Sequence, residues 1–112
     1  MSERDPRASL KHILDHAREA IEMTAGKTRG ELEHNRMLEL ALTRLVEVVG
    51  EAANRIARES WAEFPGIPWL QIVGMRNRLV HGYDVVDLNL LWDTVSDDLP
   101  PLVAEIERIL SK

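Results

Sequence analysis

Apolar residues recur at spacings of three and four along most of this chain, which is the periodicity of amphipathic helices. The first stripe lies between Pro6 and Gly26, and a proline in the first turn and a glycine past the end are typical of one helix. Thr28 and Glu31 have the spacing of a capping box and predict the start of a second helix. That helix carries a wide apolar face as far as Ile56, so we expect it to lie at the centre of the fold.

Two further helices complete the pattern. The third should begin at Pro68 and carry residues 69–81, with Gly82 just past its end. The last begins at Asp87, a good N-cap, and its stripe continues through Pro100 and Pro101. The unbroken stripe predicts one helix kinked at these prolines, or two coaxial pieces. An apolar elbow connects the second and third helices and contains Trp61, Phe64, Ile67 and Trp69.

Four helices with short links and no expected strand predict an all-α fold, an up-and-down four-helix bundle. At 112 residues, with 45% hydrophobic and 29% charged, the chain should form a single domain over residues 1–112. It has no cysteine, which excludes disulfides and thiolate chemistry. No apolar run approaches the roughly 18 residues that span a bilayer. We therefore expect a cytoplasmic protein with no membrane partner.

The formal charge of -5 argues against broad coating of nucleic acid, because phosphate binding depends on clustered cations. One local cluster stands out, however. Residues 74–83 read GMRNRLVHGY and bring together Arg76, Asn77, His81 and the single tyrosine, Tyr83. On a helix, Asn77 and His81 share a face, and the end at Gly82 leaves the tyrosine hydroxyl near the histidine.

The spacing of an arginine, four residues, a histidine, one residue and a tyrosine resembles the HepT-like toxins of the HEPN superfamily. The resemblance extends over residues 44–53 (RLVEVVGEAA), 65–83 (PGIPWLQIVGMRNRLVHGY) and 86–102 (VDLNLLWDTVSDDLPPL). It implies an HEPN-like helical bundle and a metal-independent endoribonuclease site at Arg76, Asn77 and His81. It also implies that a nucleotidyltransferase of the MNT type, the antitoxin of a type VII-like toxin–antitoxin system, attaches AMP to Tyr83.

Metal-free RNA cleavage requires a base for the 2'-hydroxyl, cations for the phosphate and an acid for the leaving oxygen. His81 can act as base or acid, Arg76 offers planar donors to phosphate, and Asn77 can orient either partner. Because one chain supplies one histidine here, a homodimer would bring two corners together, as the resemblance also implies. We expect neither a metal nor a cofactor.

A purely structural role for these residues is the alternative. Arg76 would then pair with a helix carboxylate, for which we prefer Glu51, while His81 satisfies a helix end and Tyr83 caps the bundle. Arg78 and Glu51 are also candidates for supporting the site. A second functional class is a non-catalytic interaction module that binds a nucleotidyltransferase and is modified by it.

Three other groups of residues suggest chemistry, and a simpler interpretation is favoured for each. His12 and His16 are four apart and could bind a metal, but no carboxylate or cysteine pattern completes a site, which favours an exposed helix face. Glu47 and Glu51 have the spacing of an acid/base pair, yet more simply lie on a polar face and bind an arginine. Trp69 could stack on a base, although the adjacent prolines favour packing.

Overall fold

The computed structural model describes residues 5–81 and 85–112, without the side chain of His81. The elements are α1 Pro6–Thr24, a 3-10 turn Arg29–Glu33, α2 Arg36–Asn54, α3 Arg58–Trp61, α4 Trp69–Val73, α5 Met75–Leu79, β1 Val80–His81, β2 Val85–Val86, α6 Leu88–Asp93, a π-helix Thr94–Asp98 and α7 Leu99–Leu110. They form four helical units, which are α1, α2, the pair α4 and α5, and the run from α6 to α7, and this confirms the all-α prediction.

Helix α1 has the ends that the sequence predicts. The side chain of Asp5 accepts a hydrogen bond from the backbone N–H of Arg7 at 3.0 Å, and Pro6 follows in the first turn. Past the end of the helix, Gly26 has a φ of 77°, a left-handed conformation that favours glycine. Both caps are local, so they could be recognised without knowledge of the fold.

The start of the second helix was predicted too early. Thr28 and Glu31 do form a capping box, but the box opens only the short 3-10 turn. Helix α2 begins at Arg36, where the Asn35 side chain accepts from the Leu38 N–H at 3.0 Å. A capping box satisfies the free N–H groups of a first turn and does not determine how far the helix continues.

Helix α2 is the centre of the bundle, as predicted. It packs against α1 on one side and against α4 and α5 on the other, while α7 lies along α1. Gly50 permits a close approach of α4 to α2: a Cβ added there would lie 3.1 Å from the carbonyl oxygen of Ile72 in α4. The fully buried core combines residues of all four helical units, including Leu10, Ile13, Leu42, Val46, Val49, Ile72, Met75, Leu79, Leu91, Leu99 and Ile106.

The elbow before α4 packs as expected. The Trp61 and Trp69 rings are parallel with centroids 5.3 Å apart, and each indole N–H donates to a backbone carbonyl. The Trp69 side chain is buried, only 7% exposed, so it packs in the core and is not available to stack on a base.

The unit that carries the motif departs from the prediction. Instead of one helix reaching His81, it is interrupted at Gly74 and ends at Leu79, and Val80–His81 then pairs with Val85–Val86 in a short antiparallel ladder. Valines favour extended backbone, and the ladder satisfies backbone groups that a helix would otherwise bond. The predictions that Gly82 ends the helix and Tyr83 lies beside His81 fall outside the described residues.

The last unit is helical from residue 88 to residue 110, with an N-cap at Asp87 as predicted. The irregular part is the π-helix Thr94–Asp98, where the Leu99 N–H reaches back to the Thr94 carbonyl. Pro100 and Pro101 then lie in the first turn of α7, where a missing N–H loses little. The prediction that the helical run continues through the prolines is confirmed, with an irregular turn just before them. Over residues 5–81 and 85–112, helices of membrane-spanning length and hydrophobicity do not occur.

The close contact at Gly50 generates a stability prediction. Gly50→Ala should lower the free energy of unfolding by about 1 kcal/mol, because the crowding of α4 outweighs the gain in helix propensity. Gly30→Ala is the control, since a Cβ there meets only the Thr28 hydroxyl at 3.9 Å. Urea unfolding of both variants checks this, and a Gly50→Ala protein as stable as the parent would contradict the packing argument.

Candidate functional site

Helix α5 presents three consecutive polar residues, 76–78, at the surface. Met75 and Leu79, at its two ends, are each only 1% exposed and anchor the helix in the core. Met75 and Leu79 are four residues apart, so both lie on the face of α5 that packs against the core. Residues 76–78 between them therefore lie on the solvent-exposed side of the helix. The exposure of the basic stretch is therefore a consequence of how α5 packs.

Arg76 is held by one carboxylate of α2. Its Nε donates to Glu47 Oε2 at 3.0 Å, with the arginine side chain 51% exposed and the glutamate 20% exposed. Among the described residues, Glu47 is the partner of Arg76, and the bond uses only one of the guanidinium nitrogens. The terminal amino groups of Arg76 therefore keep their donors for a further oxyanion.

The preferred pairing of Glu51 with Arg76 was wrong. Glu51 lies one helical turn further along α2, where its Oε2 is 3.7 Å from Arg44 Nη1. The same Arg44 nitrogen is 3.6 Å from Glu47 Oε1, so Arg76, Glu47, Arg44 and Glu51 form an alternating chain of charges. The sequence indicated that these glutamates bind arginines, but which turn of α2 faces Arg76 depends on the packing of α5.

The two other polar residues of α5 point elsewhere. Asn77 and Arg78 are exposed, and Arg78 lies back over the break at Gly74, where an added Cβ would be 3.3 Å from its Nη1. Asn77 and His81 do not share a helix face, because the helix ends at Leu79 and His81 belongs to β1.

A groove of about 320 Å³ adjoins Arg76. One wall is the first half of α2 and the other is the start of the β-ladder. The groove is lined by Arg36, Glu39, Leu40, Thr43, Arg44, Glu47, Arg76, Val80 and Val86. We call it the corner groove; it combines guanidinium donors with an apolar wall.

His81 follows the groove-lining Val80, and its backbone pairs with Val85. The backbone N–H of Asp87 donates to the Leu79 carbonyl at 2.8 Å and closes the ladder onto the end of α5. The backbone at residue 81 is therefore fixed next to the corner groove. The histidine side chain and Tyr83 lie outside the described residues.

The other sequence candidates have structural partners. His16 Nδ1 lies 2.8 Å from the His12 carbonyl, and the two rings meet edge to face on α1. Within residues 5–81 and 85–112, no group of three or more His, Cys, Asp or Glu residues could hold a metal ion. The sequence analysis did not identify Glu47 as the partner of Arg76. The feature of the sequence that pointed to Glu47 was its position four residues before Glu51.

These features define a class: a small all-α bundle with an arginine exposed on a short helix beside a groove. The family model described as Ribonuclease HepT-like matches residues 13–109. The chain therefore belongs to the HepT-like ribonuclease family. Comparison with solved structures gives no significant match.

Two relatives illustrate how much of the chain the similarity covers. A protein of Methanocaldococcus jannaschii named "Putative RNase MJ1380" is 39% identical over 109 residues, covering 97% of this chain and all of the relative. A protein of Thermococcus cleftensis named "Probable ribonuclease HepT" is 33% identical over 105 residues, covering 90% of this chain and 96% of the relative.

The contact between Arg76 and Glu47 is directly testable. Glu47→Gln keeps the shape but removes the charge, so the Arg76 Nε–H signal in NMR spectra should shift and exchange faster with solvent. Because Arg76 is half exposed, stability should fall by at most about 1 kcal/mol. Glu51→Gln is the matched control, one turn away on the same helix. The assignment is wrong if Glu51→Gln moves the Arg76 signal more than Glu47→Gln does.

Proposed function

We propose that this protein is a metal-independent endoribonuclease, the toxin of a type VII-like toxin–antitoxin system, and that Arg76, Asn77 and His81 form its site. The observation that carries the proposal is Arg76 itself: it lines the corner groove, and its bond to Glu47, the one contact it makes with described side chains, leaves amino groups for phosphate. Membership in the HepT-like ribonuclease family, and relatives named as RNases, support the same reaction class.

In the proposed reaction, His81 removes the proton from a ribose 2'-hydroxyl, and the 2'-oxygen attacks the adjacent phosphorus. Arg76 donates hydrogen bonds to the non-bridging phosphate oxygens, which gain negative charge in the transition state. The bond to the 5'-oxygen breaks and that oxygen takes a proton, leaving a cyclic phosphate. Asn77 orients the phosphate or the imidazole without titrating, and Glu47 positions Arg76.

The proton donor is the His81 of a second copy, so the proposal includes a homodimer. Four large apolar side chains near the ladder and the start of α2 support it: Met37, Leu40, Val85 and Leu90 are 81%, 52%, 58% and 37% exposed. Leu40 also lines the corner groove with Arg76. A symmetric contact through these residues would cover apolar surface and bring two corners together.

Tyr83 is proposed as the regulatory residue, adenylylated by an MNT-type nucleotidyltransferase that serves as the antitoxin. The AMP would add a phosphate charge close in sequence to Arg76 and Arg78, together with a bulky nucleoside. RNA would then be excluded by charge and by volume. The alternative function is a non-catalytic module that binds the transferase. The ion pair between Arg76 and Glu47 is compatible with it, because it gives Arg76 a structural role without catalysis.

The ribonuclease proposal predicts that purified protein cleaves single-stranded RNA equally well with and without EDTA. His81→Ala should lower the rate by about 10²- to 10⁴-fold and Arg76→Ala by about 10²- to 10³-fold. Lys27→Ala, a cation outside the corner groove, is the control and should cleave like the parent. Folded His81→Ala and Arg76→Ala proteins that cleave as fast as the parent would favour the non-catalytic module.

The homodimer predicts different effects for two exposed leucines. Leu40→Asp should shift sedimentation at micromolar concentration from dimer to monomer, because it introduces a charge into the apolar contact. Leu70→Asp, at a leucine that is 71% exposed on α4, should leave the dimer intact. A monomeric parent, or equal behaviour of the two variants, contradicts the proposed contact.

The tyrosine proposal concerns neutralisation by the transferase. Tyr83→Phe should keep its RNase activity and toxicity when it is co-expressed with the partner, whereas the parent should be silenced and carry AMP in its intact mass. Equal protection of both proteins would show that the hydroxyl is not the acceptor.

A further inference from the structure

A second groove, of about 580 Å³, lies between the first half of α1 and the second half of α2. We call it the α1–α2 groove. Its polar lining comes from Ser9, His12 and His16 of α1, from Arg44 and Glu51 of α2, and from Arg55 just past the end of α2. Two guanidinium groups thus meet one carboxylate of the lining, in a chain whose formal charge is -5. The groove is locally cationic on an acidic protein.

The side chains of this groove have donors to spare. Since a carbonyl oxygen can only accept, His16 Nδ1 carries the proton that bonds the His12 carbonyl, and Nε2 of the neutral ring is then an acceptor, so the spare donors of this groove are those of its arginines. Arg55 is exposed, and the described residues give its side chain no ion pair. Arg44 is 64% exposed and lies 3.6 to 3.7 Å from its carboxylates, which makes these loose contacts.

The α1–α2 groove shares one residue with the corner groove. Arg44 lines both, and it contacts Glu47, the residue that holds Arg76. From Arg44, α2 continues for roughly three turns to Arg55, a rise of ~16 Å. Three guanidinium groups, alternating with Glu47 and Glu51, therefore extend from the proposed cleavage site to the far end of the α1–α2 groove.

We infer that the α1–α2 groove binds the phosphate backbone of single-stranded RNA outside the scissile bond, with Arg44 and Arg55 as its contacts. This inference rests on the proposed ribonuclease function and extends its substrate site. Arg44 would exchange its two loose carboxylate contacts for a phosphate, and Arg55 would donate further along the strand.

Two other occupants fit the groove less well. The histidines and Glu51 are not among any group able to hold a metal ion in the described part of the chain. A protein partner would be expected to use exposed apolar side chains, and the large ones, Met37, Leu40, Leu70, Val85 and Leu90, all lie outside this groove. The apolar part of the lining consists of the small side chains of Ala8, Val48 and Ala52, and the exposed guanidinium groups of Arg44 and Arg55 favour a polyanion.

The test measures binding, not cleavage. A fluorescent single-stranded oligonucleotide with 2'-O-methyl riboses cannot be cut by attack of the 2'-oxygen, and its anisotropy reports affinity for the full-length parent. Arg55→Gln should weaken binding roughly three- to ten-fold and lower the slope of log K against log salt by about 0.7, the value for one lost single-strand phosphate contact. Lys27→Gln removes the same charge outside both grooves and should match the parent.

A second oligonucleotide of three residues, long enough only for the corner groove, should bind the parent and Arg55→Gln equally. An Arg55→Gln protein that binds the long strand like Lys27→Gln, with an unchanged salt slope, overturns the inference while leaving the ribonuclease intact. A change of oligomeric state in Arg55→Gln without a change in RNA affinity would assign the groove to protein contact instead. A parent that binds no RNA overturns both the inference and the proposed function.

Discussion

The packing of α2 against α4 and α5 determines where the candidate site lies. Gly50 allows α4 to approach α2 so closely that a Cβ on residue 50 would lie 3.1 Å from the carbonyl oxygen of Ile72. The buried side chains of Met75 and Leu79 fix α5 in the core. Glu47, one turn before Gly50 on the same face of α2, is thereby brought to Arg76 at 3.0 Å. The position of the arginine is thus set by core packing and by one ion pair together.

Electrostatics explain how an acidic chain could present the proposed phosphate site. Arg76 is half exposed and carries one carboxylate on its Nε, which orients the guanidinium and, within residues 5–81 and 85–112, leaves donors unused. The Val80 and Val86 wall of the corner groove lowers the local dielectric, so charge interactions there are stronger than on open surface. Arg44 of α2 lines both the corner groove and the α1–α2 groove, and therefore lies between the proposed cleavage site and the proposed RNA-binding groove.

Features with local causes could be predicted from the sequence, whereas those set by tertiary contacts could not. The caps at Asp5 and Asp87, the left-handed Gly26 and the apolar stripes follow from residues close in the chain. The partner of Arg76 was misassigned by one turn, because register between two packed helices is not encoded in the spacing of either. The end of α5 was missed because ladder pairing competes with helix continuation only once residues 80–81 and 85–86 meet.

A mixed dimer tests the central claim, that two copies form the cleavage site together. Differently tagged parent and His81→Ala chains can be co-expressed and the heterodimer isolated through both tags. It retains both arginines but only one of the two histidines that the reaction uses as base and acid, so we predict a rate about ten-fold or more below that of the parent dimer, close to that of the His81→Ala homodimer. A purified heterodimer that cleaves at half the rate of the parent would contradict a site shared between copies.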